Sequence, residues 1–423
     1  MSRAVVYPGR LQGSVVLPCS KSQAHRLLIC AALAPGVSRV RNVQMNDDIS
    51  ATLGALSALG AAVQINGEEI IIDGSALFSA PQSRIDCKES GSTLRFLIPI
   101  AAAGGISAQF TGSGRLPQRP IGIYLGCLPK AGVRCASQGG LPLKIEGQLR
   151  SGVFTLPGNV SSQFITGLLL ALPLLPGDSE IRLTTPLESS AYVDMTIDAM
   201  ASFGVTVRRE ATGYSVPGNQ RYAPRDCTVE GDWSQAAFFL CAGGLGGDLL
   251  LRGLRPDSLQ GDKAAAELFA RFGAQLRWEA DGLRVSGGQL QGIEADASQV
   301  PDLVPALAAT AALAQGVTRI TGAARLRLKE SDRLAAMAQG LHRLGCRVEE
   351  LPDGLVIHGT KLLQSGCVNG CNDHRIVMAF AMAALRSGGP VEISDAQSVG
   401  KSYPHFFDDF IQLGGNAHVV HMG

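Results

Sequence analysis

Short polar motifs recur along this chain of 423 residues. In the first half they are S-K-S-Q-A-H-R at 20–26, E-S-G-S-T-L-R at 89–95, L-P-Q-R-P-I-G at 116–122 and S-S-Q at 161–163. In the second half they are P-D at 301–302, K-E-S-D-R at 329–333, N-D-H-R at 372–375 and G-K-S at 400–402. Lysine and arginine side chains bind phosphates and carboxylates through charge-assisted hydrogen bonds. The motifs therefore predict a site for a small and highly anionic ligand.

We predict that these motifs lie at the N-terminal ends of helices. Lys21 and Ser22 begin one helix, and Arg26 lies one turn further along the same face. Backbone N–H groups, the helix dipole and the two cations together favour an anion at that end. Gly91 would let a ligand approach the backbone closely. The hydroxyl-rich start at 161–163 suits a phosphate.

Each motif taken alone also fits a purely structural interpretation. Serine-rich helix starts are usually N-caps, Asp302 beside a proline fits the same role, and Arg119 fits a surface charge. The distribution of lysine favours a ligand site, because only eight of the 37 cations are lysine and three of those eight fall in these motifs. The three are Lys21, Lys329 and Lys401.

Familiar cofactor and metal motifs are incomplete in this sequence. The G-K-S at 400–402 resembles the end of a phosphate-binding P-loop, but Asp395 stands where the first glycine of that loop would be. The G-x-G at 112–114 lacks the third glycine of a dinucleotide fingerprint. The seven histidines show no metal-ligand spacing, and His25 and His374 are expected to be structural hydrogen-bonding groups. We therefore expect no cofactor and no metal.

Composition narrows the class of protein. With 46% apolar and 17% charged residues the chain is not disordered, and a net charge of +1 provides no field to recruit nucleic acid or a membrane. No apolar stretch reaches the roughly 20 residues needed to span a bilayer. The apolar segment 27–34 is similar to a signal-peptide core but starts too late in the chain. Ten scattered cysteines without a C-x-x-C pair favour a reduced, cytoplasmic protein.

One sequence unit recurs six times and predicts the elements that position the motifs. In each copy the end of an apolar helix is followed by a glycine and then a strand, at Gly60, Gly132, Gly204, Gly273, Gly345 and Gly414. The intervals are 69 to 72 residues, too regular for coincidence. The glycine fits a left-handed helix C-cap, the following strands fit a hairpin, and two helices fit between successive glycines. Pro120, for example, suits a first helical turn.

These units predict an α/β fold built from α+β repeats. Six units divide most simply into three and three, and the P-G-N-Q-R-Y-A-P-R-D stretch at 217–226 suggests a boundary near residue 228. The first strand precedes a complete unit, so the sequence leaves open which half it belongs to.

Read in order, the motifs are similar to those of the 5-enolpyruvylshikimate-3-phosphate (EPSP) synthase family. L-P-x-S-K-S-x-x-x-R, S-G-S-T-L-R, R-P-I-G, S-S-Q-F, P-D, L-K-E-S-D-R, N-D-H-R and G-K-S-Y-P occur in the family's order over nearly the whole chain. The resemblance implies a two-lobed inverse α/β barrel of six units, each with two helices and about four strands, three per lobe. It places 20–228 in an N-terminal lobe, and 1–19 with 229–423 in a C-terminal lobe. The lobes of this family close over their ligands.

The resemblance also implies an activity, the transfer of the enolpyruvyl group of phosphoenolpyruvate to the 5-hydroxyl of shikimate 3-phosphate in the pathway to chorismate and the aromatic amino acids. The residues implied for shikimate 3-phosphate are Lys21, Ser22, Arg26, Ser161, Ser162, Gln163, Ser189, Asp302 and Lys329. Those implied for phosphoenolpyruvate are Lys21, Gly91, Arg119, Gln163, Arg333, Arg375 and Lys401. The two substrates bring roughly five to six negative charges together, which accounts for so many cations.

The catalytic residues implied are Asp302, Glu330 and Lys21. Asp302 would take the proton from the attacking hydroxyl, and Glu330 would protonate the methylene carbon to give a tetrahedral ketal phosphate. No cofactor, metal, nucleic acid or membrane is implied, and we expect the chain to act as a monomer.

The sequence departs from the family pattern at two places. Ser190 stands two residues before Tyr192, where the family often has a lysine. Phe96 follows Arg95 where some members have proline, which bears on the response to glyphosate, the inhibitor of the family.

Two other functions stay open at this point. The sister transferase acting on UDP-N-acetylglucosamine typically has Lys-Asn after the first strand and a reactive cysteine in the loop before its R-P. Here Ser22 follows Lys21, and 111–120 contains no cysteine. A non-catalytic repeat protein that binds polyanions would need cations spread over exposed helix faces. The clustering at helix starts, with the acids Asp302 and Glu330, argues against it.

Overall fold

A computed structural model describes residues 2–421 of the chain. In this range the chain divides into two compact units. One is formed by residues 21–229 and is called the contiguous unit; the other is formed by 2–20 with 230–421 and is called the two-segment unit. Both boundaries lie one residue further along the chain than those expected from the sequence.

The strands of the described residues are short. They are β1 (Ser2–Val6), β2 (Gln12–Val16), β3 (Val37–Arg41), β4 (Ala62–Asn66), β5 (Glu69–Asp73), β6 (Gln82–Asp86), β7 (Ser107–Thr111), β8 (Val133–Ala136), β9 (Leu143–Gly147), β10 (Val153–Leu156), β11 (Ser179–Leu183), β12 (Arg208–Glu210), β13 (Gly213–Val216), β14 (Asp226–Thr228), β15 (Asp248–Arg252), β16 (Gln275–Glu279), β17 (Gly282–Ser286), β18 (Glu294–Asp296), β19 (Val317–Thr321), β20 (Arg347–Leu351), β21 (Gly354–His358), β22 (Gly366–Val368), β23 (Val391–Ser394) and β24 (Ala417–His421).

The α-helices alternate with groups of strands. They are α1 (Lys21–Leu33), α2 (Asp47–Ala58), α3 (Gly91–Ala103), α4 (Gly122–Cys127), α5 (Ser162–Ala171), α6 (Ser190–Ser202), α7 (Trp233–Gly244), α8 (Ala264–Phe272), α9 (Val304–Ala311), α10 (Arg333–Arg343), α11 (His374–Ala384) and α12 (Phe406–Gln412). Short 3₁₀ segments lie at Leu116–Gln118, Pro129–Ala131, Leu172–Leu174, Gly261–Lys263, Pro301–Leu303, Ala324–Leu328 and Ala396–Lys401.

Six four-stranded sheets share one topology. In the contiguous unit the strand orders are β14-β3-β5-β4, β6-β7-β9-β8 and β10-β11-β13-β12. In the two-segment unit they are β2-β15-β17-β16, β18-β19-β21-β20 and β22-β23-β1-β24. In each sheet the first pair is parallel and the other two pairs are antiparallel. The predicted fold class, six α/β repeats of two helices and four strands, is confirmed.

The repeat glycines have the predicted conformation. All six have positive φ, from 82° at Gly345 to 110° at Gly60 and Gly273, which L-residues with a side chain avoid. Each glycine lies between the second helix of its repeat and an edge strand (β4, β8, β12, β16, β20 or β24). The turn at this glycine therefore sets where the hairpin of each repeat begins.

The sixth repeat is completed by the start of the chain. Strand β1 lies between β23 and β24 and is antiparallel to both, with Ser2 opposite His421 and Val6 opposite Ala417. The N-terminal strands β1 and β2 thus belong to the two-segment unit.

The first helix of each repeat is buried nearly all round. Every residue of α7, α9 and α11 is buried, and these three helices pack against one another in the core of the two-segment unit. A helix that is apolar on all faces requires such a core position. On α7 and α11 the polar side chains lie at the N-terminal end, and the N-D-H-R motif lies at the start of α11.

The helix starts follow the sequence closely, with two exceptions. The G-K-S motif at 400–402 does not begin a helix, because Lys401 ends the 3₁₀ segment Ala396–Lys401 and α12 begins only at Phe406. Asn46 caps α2 by accepting a hydrogen bond from the Ile49 N–H. The prediction that Pro120 lies in a first helical turn is wrong, because α4 begins at Gly122 and the Pro120 carbonyl accepts a hydrogen bond from Arg95 instead. No helix within residues 2–421 combines the length and the hydrophobicity that crossing a bilayer requires.

Candidate active site

Lys21 is the first residue of α1, as the S-K-S-Q-A-H-R motif predicted. Its Nζ lies 2.8 Å from Oδ2 of Asp48, in the first turn of α2, and both side chains are largely buried. The opposite charges of Lys21 and Asp48 largely cancel in this pair. Asp48 was not among the predicted site residues, because nothing in the local sequence shows that α1 and α2 start side by side.

Arg26 is buried against the start of α6. Its Nε donates to Oγ1 of Thr196 at 2.8 Å, and Nη2 donates to the Tyr192 carbonyl at 2.9 Å. The guanidinium also lies 5.2 Å from the centre of the Phe96 ring, a cation–π distance. Burial lowers the pKa of Arg26 to about 10, which still leaves it charged at neutral pH. The arginine therefore joins α1 to α6 as well as carrying positive charge near the start of α1.

Gly91 and Arg119 lie against each other. A Cβ on Gly91 would come within 2.8–2.9 Å of the Arg119 guanidinium, so the close approach depends on glycine. Gly91 is the first residue of α3, and Ser90 caps that helix by accepting from the Thr93 N–H. Arg119 is only 7% exposed. A helix N-terminus and a buried cation therefore adjoin at this point, which is an arrangement suited to an anion.

Gln163 is held in place by side chains of α3. Its Oε1 accepts from Nη1 of Arg95 at 2.6 Å, and its Nε2 donates to Oγ of Ser92 at 3.0 Å. Arg95, 3% exposed, also lies 5.2 Å from the centre of the Phe164 ring. Arg95 and Ser92 were not among the predicted site residues. Their place in the same motif as Gly91 is the sequence signal by which they could have been found.

The predicted serines lie at two helix starts. Ser161 caps α5 and accepts a hydrogen bond from the Gln163 N–H at 3.3 Å, and Ser162 is the first residue of that helix. Ser189 precedes α6 in a left-handed conformation with φ 54° and ψ 46°, and it is buried. A buried non-glycine residue with positive φ is strained, and such residues concentrate at functional sites.

Asp302 is the centre of an ion-pair cluster in the two-segment unit. Its Oδ1 lies 2.9 Å from Nη1 of Arg333 and 3.3 Å from Nζ of Lys329, and its Oδ2 lies 3.4 Å from Nη2 of Arg375. Glu330 joins the cluster through Oε2, which lies 2.8 Å from Nη2 of Arg333. The two predicted proton-transfer acids are therefore bound to the same guanidinium.

Asp373 positions this cluster, although it was not among the predicted site residues. It is fully buried, and its Oδ2 accepts from Nε of Arg333 at 2.8 Å and from Oγ of Ser331 at 2.9 Å. Its Oδ1 accepts from the backbone N–H of Arg375, which caps α11. One carboxylate therefore binds the Arg333 guanidinium and caps the helix start that carries Arg375. The N-D-H-R motif contains this residue, but its sequence alone does not distinguish a cap from an arginine partner.

The other predicted cations of this unit lie nearby on adjoining elements. Arg375, near the start of α11, donates from Nη2 to Oγ of Ser234, at the start of α7, at 2.9 Å. Lys401 ends the 3₁₀ segment Ala396–Lys401 and donates to the Asn372 carbonyl at 2.7 Å. Lys401 is only 6% exposed. Its contact with the residue before Asp373 places it at the same helix start as Arg375.

The electrostatics of the cluster keep Asp302 charged. Burial by itself raises the pKa of Asp302, but the positive charges of Lys329, Arg375 and Arg333 outweigh it and hold this pKa well below its usual value. Burial lowers the pKa of Arg333, and the surrounding carboxylates raise it above its usual value. The cluster thus contains four cations (Lys329, Arg333, Arg375, Lys401) and three carboxylates (Asp302, Glu330, Asp373).

The structure therefore gathers the predicted residues into one set in each unit. The set in the contiguous unit is rich in cations and helix N-termini, which suits anion binding. The set in the two-segment unit combines cations with two acids, which suits proton transfer to and from a bound anion. Among residues 2–421 no group of three or more histidine, cysteine, aspartate or glutamate side chains is placed to hold a metal ion.

Comparison with known proteins agrees with this chemistry. The family model of EPSP synthase (3-phosphoshikimate 1-carboxyvinyltransferase) matches residues 5–410. A 3-phosphoshikimate 1-carboxyvinyltransferase of Clostridium kluyveri is 44% identical over 417 residues, 98% of each chain, and one of Clostridium acetobutylicum is 44% identical over the full length of both. The structure of an EPSP synthase from Acinetobacter baumannii, 28% identical, superposes over all of both chains with a TM-score of 0.84. The chain belongs to the EPSP synthase family.

Proposed function

We propose that this chain transfers the enolpyruvyl group of phosphoenolpyruvate to the 5-hydroxyl of shikimate 3-phosphate, with release of inorganic phosphate. The observation that carries the proposal is the family match over residues 5–410, to which relatives named 3-phosphoshikimate 1-carboxyvinyltransferase add 44% identity along the whole chain. The product belongs to the shikimate pathway, which leads to chorismate and the aromatic amino acids. The same match favours this activity over that of the sister transferase acting on UDP-N-acetylglucosamine.

In the contiguous unit we assign two groups of binding residues. Lys21, Ser22, Arg26, Ser161, Ser162, Gln163 and Ser189 are assigned to shikimate 3-phosphate, and Gly91 and Arg119 to phosphoenolpyruvate, with Lys21 and Gln163 serving both. The contact between Arg119 and Gly91 supports the second group, because it joins a guanidinium to the N–H groups at a helix start. The bonds from Arg95 and Ser92 to Gln163 support the shared role, since they fix that amide beside α3.

In the two-segment unit we assign the acids and their cations. Asp302 takes the proton of the 5-hydroxyl as the hydroxyl oxygen attacks C2 of phosphoenolpyruvate. Glu330 gives a proton to the methylene carbon. The tetrahedral ketal phosphate then loses a methyl proton, and the bond between its carbon and the phosphate oxygen breaks. Lys329 is assigned to shikimate 3-phosphate, and Arg333, Arg375 and Lys401 to phosphoenolpyruvate.

The ion pairs of Asp302 bear on how it acts as a base. A carboxylate whose pKa is held well below its usual range is a weak base. Anionic substrate groups that bind Lys329 and Arg375 compete with Asp302 for those cations, and the pKa of Asp302 then rises. Substrate binding thus makes the carboxylate a stronger base at the moment when the hydroxyl must be deprotonated.

Two further assignments complete the proposal. We place the protein in the cytoplasm, where thiols stay reduced, because all ten cysteines lie within 2–421 and are free. We also propose that it acts as a monomer. The molar mass in solution, from light scattering after gel filtration, tests this.

The test of the activity is phosphate release with both substrates together, compared with each alone. We expect release only with both, and none when UDP-N-acetylglucosamine replaces shikimate 3-phosphate. Glu330→Gln removes the proton donor and should lower kcat by at least about 100-fold. Glu349→Gln is the matched control, because among residues 2–421 this exposed carboxylate pairs only with Arg347 on β20 and His358 on β21. No release from the unaltered protein with both substrates would refute the proposal, and near-normal turnover of Glu330→Gln would reassign the acid.

A further inference from the structure

A chain of buried polar side chains crosses three helices of the contiguous unit. His25 on α1 contacts Thr52 on α2, with 2.7 Å between Nδ1 and Oγ1. Thr52 contacts Thr93 on α3, with 2.7 Å between the two Oγ1 atoms, and Thr93 donates to Oγ of Ser90 at 2.8 Å. All four residues are at most 1% exposed. None of them is assigned a substrate contact above.

The hydrogen bonds that link His25, Thr52, Thr93 and Ser90 all run in one direction, from His25 towards Ser90. A hydroxyl has a single hydrogen to donate. Since Thr93 donates to Ser90, Thr93 must accept from Thr52, and Thr52 must accept from His25. His25 therefore carries its hydrogen on Nδ1. Burial, followed by the charges of Lys21 and Arg26, lowers the pKa of His25 well below its usual value, so the ring is neutral.

Such a chain is a costly way to fill a core. Buried polar groups need every partner in place, whereas apolar side chains of the same shape fill the space without that requirement. His25 also leaves Nε2 buried with no hydrogen-bond partner among the described residues. Its ring meets the edge of Phe96 on α3 at 6.4 Å between centres. What the polar chain adds is a fixed register of α1, α2 and α3.

This hydrogen-bonded series ends at the start of α3, where the position of the helix relative to Arg119 matters most. Ser90 caps α3 and precedes Gly91. The Arg119 guanidinium is so close that a Cβ added to Gly91 would lie only 2.8–2.9 Å from it. A small displacement of this helix start would change the position of its N–H groups relative to Arg119. At the other end of the chain, His25 lies one turn after Lys21 on α1.

We propose that His25 and Thr52 are positioning residues that hold the Gly91–Arg119 anion site in register with the start of α1, through the hydrogen bonds from His25 to Ser90. The proposal rests on the proposed function for the identity of the anion, phosphoenolpyruvate. It assigns no contact with substrate to either residue.

Thr52→Val and Thr52→Ser form the matched pair that tests it. Valine has the shape of threonine without the hydroxyl, and serine keeps the hydroxyl while losing the methyl group. We expect Thr52→Val to raise KM for phosphoenolpyruvate roughly three- to tenfold, as for the loss of one buried hydrogen-bond link, with KM for shikimate 3-phosphate within twofold of the unaltered protein. Thr52→Ser should keep both values within twofold. Equal KM values in the two variants, or equal rises for both substrates, would overturn the proposal.

Thr93→Val removes the next hydroxyl of the hydrogen-bonded series, and Thr93→Ser keeps it. They should reproduce the difference between the substrates, and they decide the question if Thr52→Val does not fold. The absence of a difference in this second pair would also overturn the proposal.

The tautomer of His25 gives a readout that needs no activity. The His25 signal in the ¹⁵N-histidine spectrum is assigned by its absence from the spectrum of His25→Asn. In the unaltered protein it should show a protonated Nδ1 and an unprotonated Nε2. Thr52→Ser should keep this pattern and Thr52→Val should shift it. Protonation on Nε2 would reverse the first link and overturn the proposal. Absence of phosphate release by the unaltered protein would instead refute the proposed function, and would leave the tautomer result standing.

Discussion

At the scale of single residues, Arg333 and Asp302 show how a charged site is kept stable without a ligand. Arg333 is nearly inaccessible, and its guanidinium bonds to Asp302, Glu330 and Asp373. A buried cation with too few partners is costly, so these carboxylates stabilise the site until anionic substrates arrive. The same bonds make Asp302 sensitive to what binds the cations around it.

Asp302→Asn should destabilise the two-segment unit by about 1.5–3 kcal/mol at neutral pH, the value of a hydrogen bond to a charged group. Because the folded pKa of Asp302 is lowered, its contribution is complete above the unfolded value of about 3.9 and is lost as pH falls through the folded pKa. Urea unfolding of both proteins, followed by tryptophan fluorescence, measures this, since Trp233 and Trp278 both lie in the two-segment unit. The difference should stay constant from pH 8 to about pH 5; a decrease within that range would contradict the assigned pKa direction.

At the scale of elements, the six repeat glycines adopt one backbone conformation in different surroundings. Gly273 has φ 110°, and a Cβ there would lie 2.3 Å from the Gln289 carbonyl oxygen. Gly414 has φ 91°, and the nearest atom to its added Cβ is the Arg10 carbonyl oxygen at 3.8 Å. Both positions require a left-handed conformation, but only the first also lacks room for a methyl group.

Gly414→Ala should therefore cost about 1 kcal/mol of unfolding free energy, the strain of a left-handed alanine. Gly273→Ala should cost about 3 kcal/mol, because a clash with backbone adds to that strain. Both glycines lie in the two-segment unit, so the fluorescence of Trp233 and Trp278 reports both changes. Equal costs would mean that the segment around Gln289, between β17 and β18, moves aside freely.

At the scale of the whole molecule, the N-terminal segment completes two sheets of the two-segment unit. Strand β1 is an inner strand of the sheet β22-β23-β1-β24, and β2 pairs with β15 at the edge of another sheet. Residues 230–421 therefore contain two incomplete sheets without the N-terminal segment. The contiguous unit has no such dependence, because all its strands lie within 21–229.

Residues 21–229 should fold alone, with a cooperative thermal transition by circular dichroism. Residues 230–423 should not fold alone, because β23 and β24 lose their common partner. Joining residues 1–20 after residue 423 through a short flexible linker should restore folding, since Ser2 lies opposite His421 in the native sheet. A cooperative transition in 230–423 without that segment would show that β1 is dispensable.

Much of this organisation could be predicted from the sequence, because it depends on local chemistry. A glycine after an apolar helix marks a left-handed cap wherever it occurs, and six such glycines at near-constant spacing indicated the repeats. Serine, lysine and arginine at helix starts indicated an anion site for the same local reason. The proposed roles of Lys21, Arg119, Asp302 and Glu330 came from the family resemblance and stay predictions.

Only the tertiary structure decided which charges neutralise each other and what holds the predicted side chains in place. Arg333 and Asp373 are 40 residues apart, and Arg95 and Gln163 are 68 residues apart. His25 reaches Ser90 only through residues of two other helices. Such pairings follow from how helices pack, and a cation or a threonine in the sequence looks the same whether its partner is a substrate, a neighbouring carboxylate or water.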